Sequence, residues 1–317
     1  MKYAVVFPGQ GSQSVNMLAD LANEYEIVGQ TFAEASEVLG YDLAALIREN
    51  PEGRLNQTEY TQPAMLAAGI AVWRIWQSKN LPSPCLLAGH SLGEYSALVA
   101  GGSMAYRDTI KLVAMRGRLM QSAVPQGQGA MAAILGLEED QVIEICQDAA
   151  EGEIVEAANF NTPNQIVIAG TVKAIQRAID LAETEGAKRA IMLPVSVPSH
   201  SSLMLAADEQ FSEYMQAVEI KPAVIPVMHS IDATTRSEPR DIAEAMRRQL
   251  HSPVRWVDTV QAMAERGIEQ IFEFGPGKVL AGLCKRTVSD IGVIAVDSPA
   301  SLENAIKAVG ETHVHAG

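Results

Sequence analysis

Cysteine is almost missing. There are three in 317 residues, Cys85, Cys146 and Cys284, far apart and odd in number. That excludes a disulfide framework, and none has a partner at zinc-site spacing, so no metal is expected. The expected compartment is the cytoplasm. Basic charge is also scarce. Lys and Arg number 24 against 38 Asp and Glu, a net charge of −14. A nucleic-acid binder normally carries the opposite sign, so no nucleic-acid partner is expected. No apolar run approaches the ~18 residues of a membrane span. The start, Met1 to Phe7, enters a strand-like run directly and does not read as a signal peptide. Low-complexity tracts and internal repeats are absent. What is abundant is apolar side chain, 48% of the chain. That buries a large core, in one large domain or two unequal ones.

Strand-like and helical patterns alternate. Tyr3 to Phe7 is a buried strand broken by Pro8-Gly9. Helical patterns follow to about Gln77. Cys85 to Gly89 is a second strand, Leu92 to Ala100 a helix, and Arg107 to Ala123 an amphipathic helix. Such alternation predicts a mainly parallel sheet covered on both faces. The pattern changes near Pro125. Ala130–Gly136, Ile154–Phe160, Gln165–Ala169 and Ala190–Val195 read as strands. Glu138–Ala150, opening with three acids that suit a helix N-terminus, and Val172–Glu185 read as helices. The order is βαββαβ, that of a ferredoxin-like unit. After Pro198 the first pattern returns, with strands at Val224–Met228, Ile271–Phe274 and Val293–Val296. The expected fold is therefore α/β: a discontinuous hydrolase-like parallel-sheet domain, residues 1–125 and 197–317, with a ferredoxin-like subdomain inserted at 126–196.

Gly89-His-Ser-Leu-Gly93 matches G-x-S-x-G between a strand and a helix, the context of a nucleophile elbow. A sharp turn pushes the Ser91 hydroxyl outward, flanking glycines let backbone pass close by, and the new helix aims free N–H groups at developing negative charge. A Gly-rich turn with a capping serine is the plain alternative. Ser91 needs a base. Of six histidines, His313 and His315 sit in a polar tail expected to be disordered, and His90 adjoins the serine but should point elsewhere. His200, in a loop just after a strand, is favoured over His229 and His251, because α/β sites form beyond strand C-termini. No acid between Ser91 and His200 follows a strand in a catalytic-loop position. That favours a Ser–His dyad whose histidine is oriented by a neutral group. Arg116 lies within the apolar stripe of its helix, alongside Leu112, Val113, Leu119, Met120 and Ala123. A guanidinium there needs an anion: an internal salt bridge, escape to water along its stem, or a substrate carboxylate held by its bidentate fork.

Phe7-Pro-Gly-Gln-Gly-Ser-Gln13, Thr61-Gln-Pro-Ala64, Gly89-His-Ser-Leu-Gly-Glu94, Met115-Arg-Gly117, Gly129-Ala-Met-Ala132, Val195-Ser-Val-Pro-Ser-His200, Gln249 with Pro253-Val254, and Phe274-Gly-Pro-Gly-Lys-Val279 occur in order. The set resembles the malonyl-CoA:acyl carrier protein transacylase family of bacterial type II fatty-acid synthesis, from Met1 to about Asp297. The resemblance implies a hydrolase-like α/β domain with a ferredoxin-like insert. It implies Ser91 as nucleophile, His200 as base, and Gln249 as the residue whose main-chain carbonyl orients the histidine. It implies the N–H groups of Gln10 and Leu92 as oxyanion hole, Arg116 as holder of the malonyl carboxylate, and Gln62 nearby. It implies malonyl-CoA as substrate, no tightly bound cofactor, and a transient partner, acyl carrier protein, that brings phosphopantetheine. A monomer is expected. Carrier proteins are acidic and this chain is too, so docking needs a local basic patch. Lys188-Arg189, Lys285-Arg286 and Arg247-Arg248 are the candidates. His229 stands where the family often has Asn, which makes it a bystander that can still alter the pocket. Two rivals stay open: a serine esterase or thioesterase, which has no need of Arg116, and a non-catalytic acyl-CoA or carrier-binding module. A malonyl transferase of polyketide synthesis or malonate decarboxylation is a closer alternative.

Overall fold

The computed structural model describes residues 1–195 and 197–314. The chain begins with β1 (Tyr3–Phe7), α1 (Ala19–Glu24), α2 (Glu26–Leu39), α3 (Leu43–Glu49) and α4 (Thr58–Ser78). Then come β2 (Leu86–Gly89), α5 (Gly93–Ala100) and α6 (Tyr106–Ser122). The middle holds β3 (Gly129–Leu135), α7 (Glu139–Ala150), β4 (Val155–Thr162), β5 (Gln165–Thr171), α8 (Val172–Thr184) and β6 (Arg189–Met192). The remainder is α9 (Leu205–Gln216), β7 (Val227–His229), β8 (Thr234–Thr235), α10 (Pro239–Arg248), α11 (Trp256–Glu265), β9 (Gln270–Phe274), α12 (Val279–Thr287), β10 (Gly292–Val296) and α13 (Pro299–Val314).

Six strands form one sheet in the order β10-β9-β1-β2-β7-β8, parallel except for β8. Parallel strands buried on both faces read as continuous apolar runs, and β1 is buried at all five positions. Its side chains alternate between two cores. Tyr3, Val5 and Phe7 join α4 and α5 on one face, and Ala4 and Val6 join α11 and α12 on the other. The four middle strands form an antiparallel sheet ordered β4-β5-β3-β6. One face, with Ala130, Ala132 and Ile134, packs on α7 and α8. The other, with Met131, Ala133 and Val167, turns to Leu193 and Val195. The small sheet is tied to the connection between α10 and α11, where Phe160 N–H donates to the Val254 carbonyl and Val254 N–H donates to that of Ala158, both at 2.9 Å.

Three local expectations change. The strand expected at Val224–Met228 begins at Val227, and Val224 is 87% exposed. Pro226 has no N–H for a ladder, and pairing with β2 starts at Val227. The strand expected to reach Val195 stops at Met192, just before Pro194. His313 falls within α13 where a disordered tail was expected; His315 lies outside the described residues, as does Ser196. Among the described residues no helix is long and apolar enough to cross a membrane, and no group of three His, Cys, Asp or Glu could hold a metal.

Candidate active site

Ser91 stands between the end of β2 and the start of α5 with φ of 51°, a left-handed conformation that costs a non-glycine residue energy. The glycines around it are required by space. A Cβ on Gly89 would lie 1.9 Å from the Gly93 carbonyl carbon, and one on Gly93 would lie 1.9 Å from the Phe7 oxygen. The end of β1 and the loop after it rest directly on this turn: His90 N–H donates to the Phe7 carbonyl at 3.1 Å, and a Cβ on Gly9 would lie 2.5 Å from the His90 oxygen. That loop carries Gln10. Among the described residues, the backbone N–H groups of Gln10 and Leu92 have no acceptor.

His200 reaches this point from the loop after β6. Its Nε2 is 2.7 Å from Ser91 Oγ, and its Nδ1 is 2.8 Å from the main-chain oxygen of Gln249. Gln249 caps the C-terminus of α10, where carbonyls lack intrahelical partners. A carbonyl only accepts, so Nδ1 carries the hydrogen and the Nε2 lone pair faces the serine. His200 is 3% exposed. Burial, and then the positive charge of Arg116, bring it down from 6.5 to about 3, so it is neutral at ordinary pH. His229 and His251 lie elsewhere: His229 is buried against Glu94, and His251 is 3.6 Å from Asp208.

Arg116 projects from α6 and is 1% exposed. Its Nη1 donates to Gln62 Oε1 at 2.9 Å and its Nη2 to Gln249 Oε1 at 3.0 Å. Its guanidinium centre sits 5.4 Å from the centroid of the Tyr95 ring. Nε has no partner, and among the described residues Arg116 forms no ion pair. Neither the internal salt bridge nor the escape to water is realised. Ser91, His200, Arg116, Gln10 and Gln62 line one cavity of about 140 Å³, walled by Met120, Met131, Val167, Leu193 and Val197. The site therefore lies at the seam of the two sheets. A second cavity of about 230 Å³, between the small sheet and α12, shares Gln10, His90, Asn159, Val167 and Leu193 with it. His90, on their common wall, meets Asn161 Oδ1 of the second cavity through Nε2 at 2.8 Å.

Sequence reasoning gave no role to Glu94, Ser230 or the Gln249 side chain. Glu94 is fully buried in α5, where His229 Nδ1, Ser230 N, Ser230 Oγ and Gln249 Nε2 surround its carboxylate at 2.6, 3.0, 2.7 and 2.7 Å. Burial alone would raise its pKa, but the hydrogen bonds from His229 and Ser230 outweigh it and hold the carboxyl below its usual range. The available signal was an acid in an otherwise apolar helix directly after the G-x-S-x-G turn.

A serine presented on such a turn against a neutral histidine, over a parallel sheet, marks the α/β enzymes that work by acyl transfer. Comparison with known proteins narrows that class. The acyl transferase domain family matches residues 4–310, and the chain belongs to it. It is an acyltransferase. A curated relative from Haemophilus influenzae, a malonyl CoA-acyl carrier protein transacylase, is 52% identical, over 96% of this chain and 98% of its own. An acyl carrier protein S-malonyltransferase from Vibrio cholerae superposes with a TM-score of 0.94 at 53% identity, covering 96% of this chain and all of that one. A malonyl-transacylase solved in complex with a type II polyketide acyl carrier protein gives 0.96 at 49%, covering 97% and 100%.

Proposed function

We propose that this chain moves a malonyl group from malonyl-CoA to the phosphopantetheine thiol of acyl carrier protein, in the cytoplasm, to supply fatty-acid elongation. The cycle is ping-pong. Neutral His200 accepts the Ser91 proton at Nε2 while Ser91 Oγ attacks the malonyl thioester. The oxyanion rests on the N–H groups of Gln10 and Leu92, a loss of either of which would cost ~2.7–4 kcal/mol of barrier. The intermediate collapses, the C–S bond breaks, and CoA leaves as a thiol with the proton from His200. The carrier's thiol then gives its proton to His200 and attacks malonyl-Ser91, and Ser91 recovers its proton. Both half-reactions are acyl transfers with no net redox change, so no tightly bound cofactor is required.

The observation that carries this reading is Arg116, a buried cation on the wall of the Ser91 cavity that forms no ion pair among the described residues. A simple esterase has no use for it; a malonyl carboxylate answers it. The architecture suits the reading too. We take residues 1–125 and 197–317 as a hydrolase-like α/β domain and 126–196 as a ferredoxin-like insert, so that the acyl pocket forms between the two. The carrier would approach along the second cavity. Arg189, Leu135 and Gln165 stand side by side on β6, β3 and β5, and Arg286 Nη2 donates to Gln165 Oε1 at 3.2 Å. Lys188, Arg189, Lys285 and Arg286 are all exposed, and we take them as one basic rim. Arg247 is engaged by Asp208 and Glu244, which weakens its claim.

Intact-mass measurement after mixing with malonyl-CoA tests the cycle. Wild type should gain one malonyl group, mapped to the Ser91 peptide, and Ser91→Ala should gain none. His200→Ala should slow labelling by the ~10²–10⁴-fold of a lost general base. Labelling at Cys85, or hydrolysis outrunning transfer to a thiol acceptor, would refute it.

A further inference from the structure

The cycle above leaves unused a charged group buried beside the nucleophile. Glu94 lines neither of the two cavities described above, yet four donors converge on it, and one of them, Gln249 Nε2, belongs to the residue that also contacts Ser91, His200 and Arg116. The Gln249 side chain lies between a cation and an anion. Its Oε1 accepts from Arg116 and its Nε2 donates both to Glu94 Oε2 at 2.7 Å and to the Ser91 carbonyl at 3.1 Å.

We propose that Glu94 is a positioning residue that sets selectivity for carboxylated acyl groups, by holding the Gln249 amide in the one orientation that seats Arg116. The two ends of an amide are nearly the same size, so the neighbours decide which way it faces. Arg116 only donates and an ionised Glu94 only accepts, which leaves one orientation. Turned over, the amide would place its NH₂ against the guanidinium and its oxygen against the carboxylate. Both contacts repel, and Arg116 loses one of its two hydrogen-bonded supports. Glu94 cannot swing away, because Ser230 N–H and O–H grip one of its oxygens and His229 Nδ1–H the other. His229 thereby acquires a role: it anchors the anchor, and an Asn at that position keeps an N–H for the same bond.

The separation of effects is what distinguishes this from a general structural role. The Gln249 main-chain carbonyl that orients His200 is fixed by the end of α10, independently of the side-chain amide. Neutralising Glu94 should therefore disturb the carboxylate seat far more than the Ser91–His200 pair. The proposal rests on Arg116 binding the acyl carboxylate, and the test keeps the two apart.

The experiment compares Ser91 labelling by malonyl-CoA and acetyl-CoA in wild type, Glu94→Gln, His229→Asn, His229→Leu and Arg116→Ala, each first checked for a cooperative melt. In Glu94→Gln the ratio of malonyl to acetyl kcat/KM should fall by ~10-fold or more, the scale of one lost charge-assisted hydrogen bond, with most of the change in the KM for malonyl-CoA. His229→Asn should keep the ratio within about threefold and His229→Leu should lower it, since only Asn retains the donor. His229→Leu carries the same test if Glu94→Gln does not fold. A folded Glu94→Gln or His229→Leu that keeps the wild-type ratio, or loses both substrates equally, overturns the role of Glu94. An Arg116→Ala protein that keeps the ratio overturns the underlying assignment of Arg116 itself.

Discussion

At the scale of single residues, the site is a set of buried polar groups that largely satisfy one another, and the exception that carries a charge is Arg116. Among the described residues Arg116 keeps an unpartnered Nε and forms no ion pair. Replacing it by Ala should weaken malonyl-CoA use far more than acetyl-CoA use, and Lys should be a poor substitute, because a point charge does not reproduce a bidentate fork. Acylation rates with the two thioesters check this; equal losses would make the arginine structural. His200 supplies a second prediction. Its folded pKa, about 3, lies below the ordinary 6.5. The unfolded chain gains this proton as pH falls below 6.5, while the folded chain resists until about 3. The stability this histidine contributes is thus full above pH 6.5 and is lost on acidification through that window, with a slope of up to ~1.4 kcal/mol per pH unit. Melting wild type and His200→Gln from pH 7.5 to 5 should show the wild type losing stability faster; parallel curves would contradict the neutral buried base. His200 was legible in sequence only as one candidate among several, since it pairs with Ser91 across 109 positions of chain.

At the scale of elements, the turn from β2 to α5 explains why its sequence was readable. Its requirements are local and steric: a left-handed serine and glycines where backbone crosses backbone. Gly93→Ala drives a Cβ into the Phe7 carbonyl. It should cost at least the ~1–3 kcal/mol of overpacking and slow Ser91 labelling. Gly282→Ala on α12 is the control. There a Cβ meets only Arg286 Nη1 at 3.6 Å, and the usual helical gain of Ala over Gly, ~1 kcal/mol, should appear in the melt. A Gly93→Ala protein as stable and as active as wild type would mean that the turn tolerates what its geometry forbids. The misjudged strand ends have an equally local cause. Apolar content ran on past Pro194 and began before Pro226, but ladder hydrogen bonds did not.

At the scale of the molecule, charge has to be handled by geography. On the proposed function, a chain of net −14 would have to meet an acidic carrier through a local basic rim. Reversing Lys285 and Arg286 to Glu should raise the KM for the carrier and leave self-acylation by malonyl-CoA nearly intact. That KM should also rise with salt, since exposed charges are screened over ~8 Å at physiological ionic strength. An unchanged KM and salt response would remove this rim from consideration.

The sequence by itself determined what short-range physics decides: buried apolar strands, amphipathic helices, the steric demands around Ser91, and the incongruity of Arg116 on an apolar face. The tertiary structure alone decided which distant groups meet. Glu94 finds His229, Ser230 and Gln249 at separations of 135, 136 and 155 residues. A carboxylate in an apolar helix signals that partners exist, but their identity depends on how α5, β7 and α10 pack, and no local pattern encodes that.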